Sequence, residues 1–278
     1  MKRSERCAHG SSSADVELAV AATAPFGADV LERLAAHHEI TALLTRPDAP
    51  RGRGRKTGAP PAKETAERLG IPVLQPTRPE PGLDLGADTV IVAAYGLLIP
   101  EDVLAERLWL NIHPSLLPRW RGAAPVERTI MAGDTETGVT IHRTVKELDA
   151  GPIAAQRSFP IGEQDDAGAV YAKSAEVAVD LLDAVLPDPE FTPQDEEGAT
   201  YAEKITAADR ELDWSRPPDV LLNRIRALAP HIGARAELDG RPVTIWKARI
   251  AGARLEPLEV QPDGKRRMTY DEFQRGLR

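Results

Sequence analysis

Apolar residues in the first two thirds of the chain fall into short, nearly unbroken runs separated by stretches of helical spacing. That alternation predicts strands buried on both faces, each followed by a helix. Residues 16–22 read as a first strand, and in residues 25–36 Val30, Leu31 and Leu34 recur at helical spacing. Residues 40–45 give a second strand. Strand, helix, strand in this order is a βαβ unit, which implies parallel strands and a right-handed crossover.

The alternation continues with a helix at 61–69 and strands at 71–74, 88–94 and 108–113. A helix follows at 125–131, strands at 137–145 and 153–159, and a long amphipathic helix at 167–186. The pattern predicts an α/β domain over residues 15–186, with a Rossmann-like, mostly parallel sheet. Residues 187–199 are rich in Pro and acid, as linkers are. In residues 200–278 the pattern changes. A helix at 217–229 precedes a hairpin of 234–238 and 243–250 across Asp239-Gly240, and a strand at 255–260, so a small β-rich second domain is expected.

Composition narrows the classes. Aromatics are 4% of the 278 residues, so Leu, Val, Ile and Ala must build the core. The formal net charge of -8 argues against a general nucleic-acid binder, although a local basic patch can override it. The one cysteine, Cys7, excludes a disulfide framework or a Cys-based zinc site within the chain and fits a reducing, cytoplasmic setting. Residues 1–14 are polar and Ser-rich and are expected to be a disordered lead rather than a signal peptide. The most apolar run, 90–100, is too short to span a membrane. His9, His37, His38, His142 and His231 form no metal-ligand spacing, and no phosphate-binding glycine loop is present, so no metal, ATP or nicotinamide is expected.

Candidate chemistry centres on Asn111-Ile112-His113 at the end of one strand. Residues i and i+2 share a face, so both polar side chains point the same way, at the carboxyl end where open α/β sheets bind ligands. Asp149 stands in the loop Glu147-Leu-Asp-Ala-Gly-Pro152. An amide donor, an imidazole and a carboxylate are what attack of an amine on an acyl carbon needs: oxyanion stabilisation, proton handling and a partner for the imidazole. By residue type alone, an Asn-x-His on a strand is more often structural than catalytic, and Asp149 reads as a turn residue. The segment Arg46-Pro-Asp-Ala-Pro-Arg-Gly-Arg-Gly-Arg-Lys56 holds five cations against one anion and enough Pro and Gly to exclude helix or strand interior. It reads either as a solvated cationic turn or as a phosphate contact.

Longer motifs separate these readings. Asn111-Ile-His-Pro-Ser-Leu-Leu-Pro118, followed by Asp149 in its Leu-Asp-Ala-Gly-Pro loop, resembles the signature of the folate-dependent formyltransferases. Ser115-Leu-Leu-Pro-Arg-Trp-Arg-Gly-Ala-Ala-Pro125, Ala94-Tyr-Gly-Leu-Leu-Ile-Pro100, Gly133-Asp-Thr-Glu-Thr-Gly-Val-Thr140, Thr200-Tyr-Ala-Glu-Lys-Ile205 and Asp213-Trp-Ser-Arg-Pro217, with the basic segment, are similar to the branch whose acceptor is methionyl initiator tRNA. The resemblance implies transfer of a formyl group from 10-formyltetrahydrofolate, with Asn111, His113 and Asp149 catalytic. It implies folate against Ser115, Leu116, Leu117 and Pro118 and against Tyr95, Gly96 and Leu98. It further implies tRNA contact by Arg51, Arg53, Arg55 and Lys56, with Arg53 foremost, and a monomer. Lys265, Arg266 and Arg267 with Arg241 and Lys247 are a second candidate path for the tRNA backbone. The rival readings are an amino-sugar nucleotide as acceptor, or an RNA-binding relative without catalysis. The chain departs from the family pattern at Ala22, where Ala replaces a turn Gly and would be strained at positive φ. It departs again at Ala251-Gly-Ala-Arg254, where missing residues imply a shortened OB-like barrel.

Overall fold

A computed structural model describes residues 16–51 and 56–277. The polar lead 1–14 lies outside the described residues. In chain order the first domain comprises β1 (Glu17–Ala22), α1 (Pro25–Leu34), β2 (Glu39–Leu44), β3 (Ala49–Arg51), β4 (Lys56–Gly58), α2 (Pro61–Leu69), β5 (Val73–Leu74), β6 (Thr89–Ala93), α3 (Glu101–Leu104), β7 (Leu108–His113), β8 (Arg121–Gly122), α4 (Pro125–Ala132), β9 (Glu136–Arg143), β10 (Ile153–Pro160) and α5 (Ala167–Val185). The second holds β11 (Tyr201–Ala202), α6 (Ala207–Arg210), α7 (Pro218–Leu228), β12 (Ala234–Leu238), β13 (Arg241–Ala251), β14 (Arg254–Pro262), β15 (Met268–Thr269) and α8 (Tyr270–Arg275).

The main sheet runs β10-β9-β7-β6-β1-β2-β5. Its strands from β5 to β7 are parallel, and β9 and β10 add an antiparallel edge. Both faces are covered, which is why the strands read as unbroken apolar runs. Leu18, Val20, Ile91, Leu110 and Ile112 pack with α1 and α5. Ala19, Ala21, Val90, Val92 and Trp109 form the core of the opposite face. The chain departs from β1 to opposite sides, towards β2 and towards β6, so the crevice for a ligand opens at the carboxyl ends there.

Local sequence sets the helix limits. Proline opens α1, α2 and α4, where its missing N–H costs nothing. The Asp166 carboxylate accepts from the N–H of Ala169 and caps α5. Ala22 is not strained, contrary to the sequence expectation; the left-handed residue beside this turn is Ala94, at φ +48° just after the neighbouring strand β6. The small residue that the turn requires is Gly27, where a Cβ would stand 2.7 Å from that of Ala22.

One other expectation changes. The basic segment does contain strand: β3 and β4 pair antiparallel as an isolated ribbon, in which each strand needs a partner on one side only and Pro50 is tolerated. In the second domain, as a shortened barrel implies, the sheet β12-β13-β14-β15 is open, with α7 packed on it. Its first hairpin turns on Asp239 and Gly240, at φ +51° and +71°, as a tight primed turn demands. The sequence pattern did not show α3, β8, β11, α6, β15 or α8, all too short to display a period. Among the described residues no helix is long and apolar enough to cross a membrane.

Candidate active site

Antiparallel pairing of β7 with β9 sets Asn111 opposite His142 and His113 opposite Thr140. Asp149 reaches this edge from the loop between β9 and β10, at φ +49°. Four groups surround its carboxylate. Asn111 donates Nδ2–H to Oδ1 at 3.2 Å, and the N–H of Gly122 donates to Oδ2 at 2.8 Å. Nδ1 of His113 lies 3.6 Å from Oδ2, and Nε2 of His142 lies 3.7 Å from Oδ1.

The remaining contacts fix which nitrogens carry hydrogen. Nδ1–H of His142 donates to the Arg143 carbonyl at 3.0 Å, so Nε2 accepts from Asn111 Nδ2 at 2.9 Å. Nε2–H of His113 donates to the Trp120 carbonyl at 2.8 Å, which leaves Nδ1 as a lone pair facing Asp149. Burial lowers the His113 pKa below its usual 6.5, against the opposing pull of the Asp149 charge. Burial alone would raise Asp149, but His142, His113 and the Gly122 N–H outweigh it and hold the carboxyl below 3.8. A neutral imidazole therefore faces an anionic carboxylate, with room for one proton between them. Asn111 has both amide hydrogens engaged.

Sequence reasoning left His142, Trp120, Gly122 and Gln194 unassigned to this site. His142 shares a strand face with Thr140, but only the β7 to β9 register brings it to Asn111. Gln194 comes from the segment read as a linker, and donates to the carbonyls of Asp149 and Gly151.

The loop after His113 is clamped from below. Thr140 Oγ1 donates to the Ser115 carbonyl at 2.7 Å and accepts from the Leu117 N–H at 3.1 Å. Gln156 Nε2 donates to the Leu117 carbonyl and to Thr140 Oγ1. Three of the expected folate side chains face inward instead. Ser115 is fully buried and donates to the Arg119 carbonyl, Leu117 is buried, and Tyr95 packs in the core under the β6 exit. Burial pushes the Tyr95 phenol up to about 12, and its hydroxyl has no protein partner. Leu116 and Pro118 are half-buried, whereas Leu98 is 75% exposed and Gly96 turns the chain at φ +74°.

Of the expected tRNA residues, Arg53 and Arg55 lie outside the described residues. Arg51 and Lys56 are backbone partners at the end of the ribbon. In the second cationic cluster Arg267 stacks 3.4 Å over Trp246 and donates to the Pro230 carbonyl, and Arg266 pairs with Glu272. These two are engaged within the fold. Among the described residues no group of three or more His, Cys, Asp or Glu side chains is placed to hold a metal ion.

Two family models match the chain: formyl transferase over residues 16–186, and formyl transferase, C-terminal domain, over 204–257. The methionyl-tRNA formyltransferase of Cereibacter sphaeroides is 40% identical across 91% of this chain and 93% of its own. That of Thiobacillus denitrificans is 45% identical across 83% of this chain and 79% of its own. Among solved structures, methionyl-tRNA formyltransferase from Clostridium thermocellum superposes with a TM-score of 0.63 at 14% identity, over 89% of this chain and 98% of that one. HypX from Aquifex aeolicus in complex with tetrahydrofolic acid gives 0.65 at 19% identity, over 93% of this chain and 46% of that one. At such identities these two likenesses speak for the fold alone.

Proposed function

This chain belongs to the formyl transferase family, and we propose that it carries out formyl transfer at the cluster around Asp149, with Asn111, His113 and Asp149 as the reacting set. The reaction moves a formyl group from 10-formyltetrahydrofolate to the amino group of methionyl initiator tRNA. The observation that carries the site assignment is the open proton position between Nδ1 of His113 and Oδ2 of Asp149, 3.6 Å apart. As the amine nitrogen bonds to the formyl carbon it must lose a proton, and this pair is a ready acceptor. As the bond from that carbon to N10 of the folate breaks, N10 takes a proton back, and the pair is its source.

Asn111 donates to the formyl oxygen while it carries negative charge, and His113, once it has taken the amine proton, adds a positive charge beside it. Asn111 starts with both amide hydrogens engaged, and the longer bond, to Asp149 Oδ1, is the one it exchanges. Proton uptake by the His113 and Asp149 pair weakens Oδ1 as an acceptor at the step when the oxyanion forms. Two charges that would compete for one donor thus appear in turn.

Folate fits the slot between the loop after His113 and the β6 exit. Leu98, Leu116 and Pro118 supply apolar surface, and backbone groups of both loops supply polar contacts, with Ser115, Leu117 and Tyr95 shaping the slot from within. The basic segment with Arg51, Arg53, Arg55 and Lys56 takes the acceptor end of the tRNA, since guanidinium groups contact phosphates and stack on unpaired bases. Residues 15–186 form the catalytic unit and 200–278 the second, joined by 187–199, in a monomer working in the cytoplasm.

The test offers the protein 10-formyltetrahydrofolate with charged initiator tRNA, charged elongator methionine tRNA and an amino-sugar nucleotide in parallel. Formylation of the initiator tRNA is the expected result. Formylation of the sugar alone would overturn the acceptor assignment.

A further inference from the structure

Asp149 stands in the left-handed region at φ +49°, a conformation that Asp adopts more readily than most residues and that neighbouring contacts here hold in place. Those contacts come from the segment joining the two domains. Gln194 Nε2 donates one hydrogen to the Asp149 carbonyl at 2.8 Å and the other to the Gly151 carbonyl at 2.7 Å. Its Oε1 accepts from Arg121 Nε at 3.1 Å and Nη2 at 2.9 Å. A flipped amide would set oxygen against two carbonyls and hydrogens against a guanidinium, so the orientation is unique. Arg121 is 2% exposed and is also bound by Glu196, and its neighbour Gly122 supplies the N–H on Asp149 Oδ2.

Gln194 thus grips the backbone of Asp149 while the residue beside its own anchor grips the carboxylate. The segment is tied on both sides of Gln194. Thr192 exchanges two backbone hydrogen bonds with Ile153, at 2.7 and 2.9 Å, and β11 pairs in parallel with β8. Thr200 Oγ1 accepts from the N–H of Trp120, whose carbonyl in turn orients His113.

We propose that Gln194 is a positioning residue for formyl transfer, acting through the backbone of Asp149, so that the segment between the domains is part of the catalytic apparatus. This rests on the assignment of Asp149 as the reacting carboxylate.

The test uses the full chain. Gln194→Glu keeps the length and the Arg121 contact but replaces both donated hydrogens with an acceptor; Gln194→Ala removes the side chain. For each, kcat, KM for methionyl-tRNA, the pH profile of kcat and Tm are measured beside Asp149→Asn. The expected result is a kcat at least tenfold lower in both variants, an unchanged KM for methionyl-tRNA, and, in Gln194→Ala, an acid limb displaced to lower pH, because the Asp149 charge that draws the His113 pKa upward loses its alignment. If one variant fails to fold, the other carries the test. A kcat within twofold of the parent, or a loss that tracks Tm with the pH profile unmoved, would overturn the proposal. An active Asp149→Asn would instead overturn the site assignment on which it rests.

Discussion

Nδ1 of His113 and Oδ2 of Asp149 face each other at 3.6 Å, too far for a hydrogen bond and close enough to share an incoming proton. The pH dependence follows from their directions. His113 is held below 6.5, so the neutral ring persists somewhat below that pH in the folded protein, and the acid limb of kcat should fall below 6.5. The unfolded chain takes up this proton at about 6.5. Stability is therefore lost as pH falls from there towards the folded value. Asp149 acts in the same sense lower down: its stabilisation is present above 3.8 and lost as pH falls towards its depressed folded value. In His113→Gln the decline of Tm just below pH 6.5 should flatten, and an unchanged slope would assign that decline to other groups.

Asn111→Ala removes the amide that bridges Asp149 and His142 and is proposed to reach the oxyanion. Losing one such donor lowers kcat by roughly a hundredfold to a thousandfold. Folate affinity, followed by fluorescence titration, should change little. Unimpaired turnover with folate bound would remove Asn111 from the mechanism.

How far these residues were legible differs from case to case, and the reason is physical. Asn111 and His113 could be paired from sequence because a strand puts i and i+2 on one face. His142 could not, because its approach to Asn111 depends on the register between β7 and β9, and hydrophobic alternation reports which face is buried without reporting register across an antiparallel pair. Gln194 was hidden by composition: residues 187–199 carry the Pro and acid of a tether, yet Thr192 and Gln194 bind the sheet edge and the Asp149 loop. The direction of the Tyr95 ring was illegible for the opposite reason. An aromatic at a strand exit looks available to a ligand, but the chain turns at Ala94 and Gly96 and sends the ring into the core.

Thr140→Val tests the clamp under the loop proposed to hold folate. One hydroxyl serves the Ser115 carbonyl, the Leu117 N–H and Gln156, and an isosteric methyl leaves the Leu117 N–H buried without a partner. An unsatisfied buried group costs about 1–3 kcal/mol. Tm should drop accordingly, and KM for 10-formyltetrahydrofolate should rise more than KM for methionyl-tRNA. Equal changes in both would detach the clamp from folate binding.

Arg53→Ala should weaken use of charged tRNA while leaving folate binding intact. A lost phosphate contact also lowers the salt slope of tRNA binding by about one. Filter binding across a salt series, beside folate titration, reads both effects, and parallel loss of folate affinity would count against a tRNA-facing role.

Gly122→Ala probes the crossing of the two domains at the site. Gly122 sits at φ +120°, and an added Cβ would stand 2.8 Å from the Ala202 carbonyl oxygen. Both the conformation and the clash oppose a side chain, at a cost of about 1–3 kcal/mol. The strand must then pull back from β11, and with it the N–H that holds Asp149 Oδ2. A drop in Tm should therefore come with a loss of kcat that persists well below the melting transition, where the protein is fully folded. Activity restored to the parental level at low temperature would show that Gly122 serves packing alone and that the carboxylate keeps its place without that N–H.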